Sequence, residues 1–317
     1  MTTSFWNDKT VCVVGGAGLV GTELTTLLLQ EHARVTVLDD FSRGKTWMIG
    51  AQYITGDAGD RSKCEETFKG ADVVFNLAAR VGGVLYNQTH SAEMFHENIR
   101  LQTVPVIAAR EVGVKYFLQC SSVCVYEESR QNPCIETWLG GEPNPANAGY
   151  AWAKRMGERV ARWSGLEHCV VARPANMYGI YDYFDDRSHV IPALIKKCLN
   201  DDVIRVRGTG QEVREFLYAT DAARGMLVAL EQGEPGAIYN IGSDGANSCT
   251  ISELAYTIRE ILGVDKPIEF IGGSGGDLRR IVNGDKLMRL GWQPEVSLQQ
   301  GLRTVCEWYK KSCCQLP

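Results

Sequence analysis

The chain has 317 residues, 44% of them hydrophobic and 22% charged, with a formal net charge of −5. That length supports one large or two modest domains around a real core. The acidic balance, with no basic cluster denser than the pair Arg279-Arg280, excludes nucleic acid as the main partner, and no apolar run is long enough to span a membrane.

An apolar run, Val11 to Val14, predicts the first strand. Gly15-Gly16-Ala17-Gly18-Leu19-Val20-Gly21 follows it and opens a helical stretch ending near Glu31. Glycine permits a tight turn and lets backbone N–H groups approach a pyrophosphate, and the helix N-terminus adds partial positive charge there. A second run, Arg34 to Leu38, ends at Asp39. A carboxylate at that place accepts hydrogen bonds from the adenosine ribose and repels a 2′-phosphate, so NAD is expected rather than NADP.

Further strands are predicted at Tyr53–Gly56, Asp72–Leu77, Tyr116–Cys120 and Cys169–Arg173. Helices are predicted between them at about 62–68, 93–112 (with a kink at Pro105) and 149–163. Repeated βα units imply an α/β, doubly wound parallel sheet, whose ligands sit beyond the carboxyl ends of the strands. After Pro174 the texture changes to an aromatic, acidic loop and glycine clusters. Helical patterns return at about 221–231, 252–262 (with Ser252 as its cap) and 298–310, and Ala237–Ile241 reads as one more strand. The expected division is a dinucleotide-binding domain, 1–174, to which 215–245 returns, and a smaller α/β substrate lobe, 175–214 with 246–317.

Tyr150 and Lys154 stand one helical turn apart and share a helix face. An ammonium and a positively charged nicotinamide both favour the phenolate, so Tyr150 can exchange a proton with a sugar hydroxyl as hydride leaves the same carbon. Ser122, at a strand end, can hydrogen-bond that oxygen. The eleven cysteines are odd in number and irregularly spaced, which suits buried thiols in a reducing compartment. Five scattered histidines give no metal-ligand spacing, so no metal is expected. Met1 to Lys9 lacks a charged segment followed by an apolar core, so no signal peptide and a cytoplasmic location are expected.

These residues resemble the extended short-chain dehydrogenase/reductases that modify nucleotide sugars. The resemblance runs from Gly15–Gly21 through Asn76-Leu77-Ala78-Ala79, Ser122/Tyr150/Lys154, Arg173–Gly179 and Arg214–Tyr218 to Asp277–Arg280. Within the family, three features are similar to the branch of GDP-L-fucose synthases and GDP-mannose 3,5-epimerases. They are Val81-Gly82-Gly83, Cys124 just after Ser122, and Ser188-His189-Val190-Ile191-Pro192-Ala193. The resemblance implies an NAD-dependent epimerase that oxidises C4 transiently and epimerises a GDP-sugar at C3, C5 or both. A ketone at C4 acidifies those positions; a Cys124 thiolate removes a proton on one face and a His189 imidazolium returns one on the other. A 4-epimerase or a C4 dehydrogenase/reductase without such proton transfer is the alternative. An NAD-bound sensor without turnover is a third reading, which the intact Tyr150/Lys154 pair opposes.

The resemblance also implies further contacts. For NAD these are Gly15, Gly18, Leu19, Val20, Gly21, Asp39, Asp40, Ser42, Arg43, Asp57 (at adenine), Ala58, Leu77, Ala78, Ala79, Asn98, Tyr150 and Lys154. Arg43 can tolerate a 2′-phosphate, but Asp39 opposes one. For a nucleotide-diphosphate sugar they are Val81, Gly82, Gly83, Ser122, Asn176, Arg187, Arg214 and Arg279, with Arg280 as the adjacent alternative. The helix carrying Glu97-Asn98-Ile99-Arg100 either lines the cofactor cleft or forms a homodimer surface; both roles stay open.

Overall fold

Seven short strands, most of them buried on both faces, lie side by side in one sheet in the computed structural model, which describes residues 4–127, 132–137, 139–273 and 276–313. The first body contains β1 (Thr10–Val14), α1 (Leu19–Gln30), β2 (Arg34–Asp39), β3 (Gln52–Thr55), α2 (Arg61–Phe68), β4 (Val73–Asn76), α3 (Val84–Thr89), α4 (Ser91–Glu111), β5 (Tyr116–Cys120), α5 (Ala148–Trp163) and β6 (His168–Pro174). Then come β7 (Asn176–Tyr178), α6 (Val190–Asn200), β8 (Ile204–Val206), β9 (Val213–Tyr218), α7 (Ala219–Gln232), β10 (Ile238–Ile241), β11 (Ser248–Thr250), α8 (Ile251–Leu262), β12 (Ile268–Phe270), β13 (Arg279–Arg280), α9 (Asp285–Met288) and α10 (Leu298–Cys313).

The large sheet is parallel throughout, in the order β10-β6-β5-β4-β1-β2-β3. Strand order reverses between β1 and β4, so a crevice opens at their carboxyl ends, where the glycine turn and the Leu77–Gly83 segment lie. β10 pairs with β6, and α7 packs on α1, so the chain returns to the first body after β9. A smaller sheet, β11-β9-β13 with β7 on β9, and the pair β12-β8 build the second body around Tyr178, Leu194, Phe216, Leu254 and Leu302.

Two local findings have clear causes. Pro105 lies inside α4, which continues to Glu111. Proline cannot donate to the carbonyl one turn back, and the Leu101 carbonyl instead accepts from Asn76 Nδ2 at 3.0 Å, which ties the end of β4 to α4. Ser252 does not cap α8: Thr250 does, in a capping box with Glu253. The helix starts one residue before Ser252, which lies inside its first turn.

Candidate active site

The glycine turn is shaped to take an anion. Gly15 has φ +75°, and a Cβ there would sit 3.0 Å from Ala78 N; one at Gly21 would run into the Gly15 carbonyl. No side chain caps α1 at Gly18, so its first N–H groups face the crevice. Asp39 closes the turn from the side: Oδ2 accepts from Ala17 N at 3.0 Å and Oδ1 from Phe41 N at 2.9 Å. Burial raises the Asp39 pKa, and these backbone bonds act against it. The arrangement fits a dinucleotide pyrophosphate with a ribose at Asp39.

Beyond β5, Ser122 starts a short 3-10 turn, Val123–Val125, and its Oγ accepts from Cys124 N at 3.1 Å. One turn therefore sets both Ser122 and Cys124. Tyr150, on α5, hydrogen-bonds Ser122. Burial pushes the phenol above its usual pKa, the Cys124 and Cys120 thiols add to that, and the Ser122 bond opposes them. Lys154 Nζ donates to the Cys120 carbonyl at 2.7 Å and lies 5.6 Å from the Tyr150 ring. Burial lowers its pKa, against the pull of Cys120, Glu158 and Cys124. Desolvation thus opposes ionisation of this phenol.

Ser122, Cys124, Tyr150, Asn176, His189 and Arg214 all line one cavity of about 540 Å³, together with Val81, Gly82 and Gly83. His189 stands at the N-cap of α6. The residue is exposed and lines the cavity. Desolvation, then the Arg43 charge, lower its pKa, with Asp185 acting against them. A helix N-terminus also disfavours an imidazolium. These influences favour the neutral imidazole over the imidazolium.

Several expected contacts lie elsewhere. Arg279 is exposed, whereas Arg280 is buried, lines the cavity, donates to the Val123 carbonyl at 2.8 Å and pairs with Asp277. Neighbouring residues on β13 point to opposite faces, so only one of the pair can enter. Arg187 is not part of the wall; its guanidinium lies 5.9 Å from the Tyr86 ring. Asn98 is fully buried and spends its amide on the Arg80 N–H and carbonyl and on the Met94 carbonyl. It braces the segment after β4 instead of reaching a ligand. Arg43 is committed to Val81 and Asp185. Asp57 is exposed and paired with Arg100 at 2.7 Å; Ala58 and Ala78 are buried beside it and beside Gly15 respectively.

The sequence reading missed Asp182, Asn87, Asn147, Lys197, Arg205 and Arg207, all in the same wall. Asn87 Nδ2 donates to Asn147 Oδ1 at 2.9 Å. Burial pushes the Asp182 carboxyl up to about 7. The basic residues come from α6 and from β8 and the residue after it, segments whose spacing carries no ligand signature. Among the described residues no group of three or more potential ligands could hold a metal ion, and no helix is long and apolar enough to cross a membrane. Cys12, Cys64, Cys120, Cys124, Cys134, Cys169, Cys198, Cys249 and Cys306 are free thiols.

Residues 11–242 match the NAD dependent epimerase/dehydratase family. The chain belongs to that family. It is an enzyme of the extended short-chain dehydrogenase/reductase type, and its cofactor is NAD. The putative GDP-L-fucose synthase 2 of Arabidopsis thaliana is 31% identical over 98% of this chain and 95% of that protein. Among solved structures, the UDP-glucose 4-epimerase of Thermotoga maritima with UDP-glucose superposes with a TM-score of 0.86 at 27% identity, covering 96% of this chain and 99% of that one. A double mutant of the dTDP-glucose 4,6-dehydratase DesIV of Streptomyces venezuelae, solved with NAD bound, gives 0.85 at 26%, covering 95% and 97%.

Proposed function

We propose that this enzyme is a redox-neutral epimerase of GDP-sugars that oxidises C4 transiently and inverts C3, C5 or both. The observation that carries the reading is that Cys124 and His189 line the same cavity as Ser122 and Tyr150. A reaction confined to C4 has no need of that second pair. The likeness to GDP-L-fucose synthases supports the GDP-sugar.

Tyr150, bonded to Ser122, holds the C4 oxygen; Lys154 and the positive nicotinamide ring of bound NAD would favour its phenolate, which takes the C4 hydroxyl proton as the carbonyl forms and returns it at the end. The glycine turn and Asp39 would hold NAD, which would supply reversible hydride acceptance at C4, so that no external reductant would be consumed. With C4 a carbonyl, the neutral His189 removes a proton from the adjacent carbon and the Cys124 thiol supplies one to the opposite face; a second inversion reverses the two roles. Arg214 and Arg280 bind the diphosphate, because planar guanidinium groups suit phosphate oxygens. Asn176, whose Nδ2 donates to the Glu215 carbonyl at 2.8 Å, presents its oxygen to the sugar. The NAD domain in this reading is 1–174 with the returning segment expected at 215–245, which begins at Ala219 because β9 pairs within the smaller sheet; the remainder forms the substrate lobe. The protein acts in the cytoplasm as a homodimer packed through α4 and α5.

Turnover in D2O tests the proposal. Carbon-bound deuterium is expected at C3 or C5, and is expected to vanish in Cys124→Ser and His189→Ala. Turnover with no deuterium at either carbon leaves a 4-epimerase or C4 dehydrogenase instead.

A further inference from the structure

Strand order places β1 between β4 and β2. Arg43 follows β2 and Val81 follows β4, yet Arg43 Nη1 donates to the Val81 carbonyl at 3.0 Å. That bond therefore crosses the end of β1, above the glycine turn. The other guanidinium arm, Nη2, donates to both Asp185 oxygens at 2.9 Å, in the loop between β7 and α6. Tyr183, in the same loop, stacks under the guanidinium at 4.2 Å, and its hydroxyl lies 3.3 Å from where a Cβ of Gly18 would be.

The bridge is firmly held at both ends. A Cβ at Gly44, next to Arg43, would run into the Ala17 carbonyl, so this segment lies directly on the glycine turn. Asp185 Oδ1 accepts from Arg187 N at 2.8 Å, and Ser188 Oγ donates to the Tyr183 carbonyl at 2.6 Å. The Arg43 side chain is only 12% exposed although its loop is at the surface. A guanidinium whose one arm is held by a carboxylate and whose other arm is held by a backbone carbonyl, with an aromatic beneath it, is better fixed than an isolated surface ion pair.

From this geometry we propose that Arg43, Tyr183 and Asp185 form a clamp that encloses NAD and keeps it bound through turnover. A dinucleotide lying on the glycine turn cannot leave until the Arg43 links to Val81 and Asp185 open. The clamp deepens the redox-neutral reading, since an enzyme that returns its hydride has no use for cofactor exchange. Both arms of the Arg43 guanidinium are engaged across the crevice.

The test needs no sugar, so its outcome is separate from the D2O experiment. The purified enzyme is loaded with NADH and chased with excess NAD, and loss of bound NADH fluorescence gives the release rate. Asp185→Asn, which alters a half-exposed residue away from the glycine turn, is expected to speed release roughly tenfold, and Arg43→Met by at least as much. Thermal unfolding of the NAD-free variants separates a weakened fold from an opened clamp. Faster release with an unchanged melting temperature supports the proposal. Release at the wild-type rate from both folded variants overturns it.

Discussion

The buried pair Arg173–Glu158 offers the sharpest stability test. Arg173 is 0% and Glu158 3% exposed, and two contacts join them: Nη2 to Oε2 at 2.6 Å and Nε to Oε1 at 2.8 Å. The remaining arm of Arg173 donates to Tyr126 Oη at 3.0 Å and the Glu136 carbonyl at 2.9 Å, and Ser121 Oγ donates to Glu158. Arg173→Met leaves a carboxylate buried without its counter-charge, which costs about 3–5 kcal/mol. Replacing both partners, Glu158→Leu with Arg173→Met, removes that charge and is expected to recover most of the loss. A deficit of about 1–2 kcal/mol remains for the hydrogen bonds of Ser121 and the Glu136 carbonyl. Urea unfolding reads both variants, with an unchanged m-value as the control. Arg173→Met costing less than about 1 kcal/mol would refute the reasoning, because a buried unpaired charge cannot be that cheap. The folded double variant is also expected to turn over slowly, since Ser121 loses its anchor beside Ser122.

Three further outcomes are expected. Asp182 titrates at about 7 in the folded chain, above its value in the unfolded one, so the fold binds the extra proton. Stability from this group is complete below the unfolded value near 4 and is lost as pH rises to about 7; relative to Asp182→Asn the wild type should weaken across that window, by urea midpoints, and a constant difference there would count against it. A neutral His189 acting as base makes activity rise with pH through a value below the ordinary 6.5 or so, and Arg43→Met should move that limb upward; activity that instead falls with pH through this range would restore the imidazolium as the resting donor. If the proposed role of Arg280 holds, Arg280→Met should weaken GDP-sugar binding roughly tenfold or more by calorimetry, whereas Arg279→Met should leave it within about twofold; equal losses would contradict their opposite orientations.

What sequence alone determined here is local. Alternating βα periodicity, the glycines after β1, Asp39 at the end of β2 and the one-turn spacing of Tyr150 and Lys154 arise from contacts between near neighbours, so they were legible without a fold. A single 3-10 turn carries both Ser122 and Cys124, whereas the roles proposed for them came from the family resemblance. Tertiary structure decided the rest, because it depends on which distant segments meet. Asn98 looked like a ligand contact until packing turned its amide onto Arg80, and Arg280 rather than Arg279 entered the cavity through the pairing of β13 with β9. The direction in which the Tyr150 and His189 pKa values move is set first by desolvation, a property of everything folded around them. The Arg43–Asp185 link joins residues far apart in the chain, and only the order of strands in the sheet brings them together over the glycine turn.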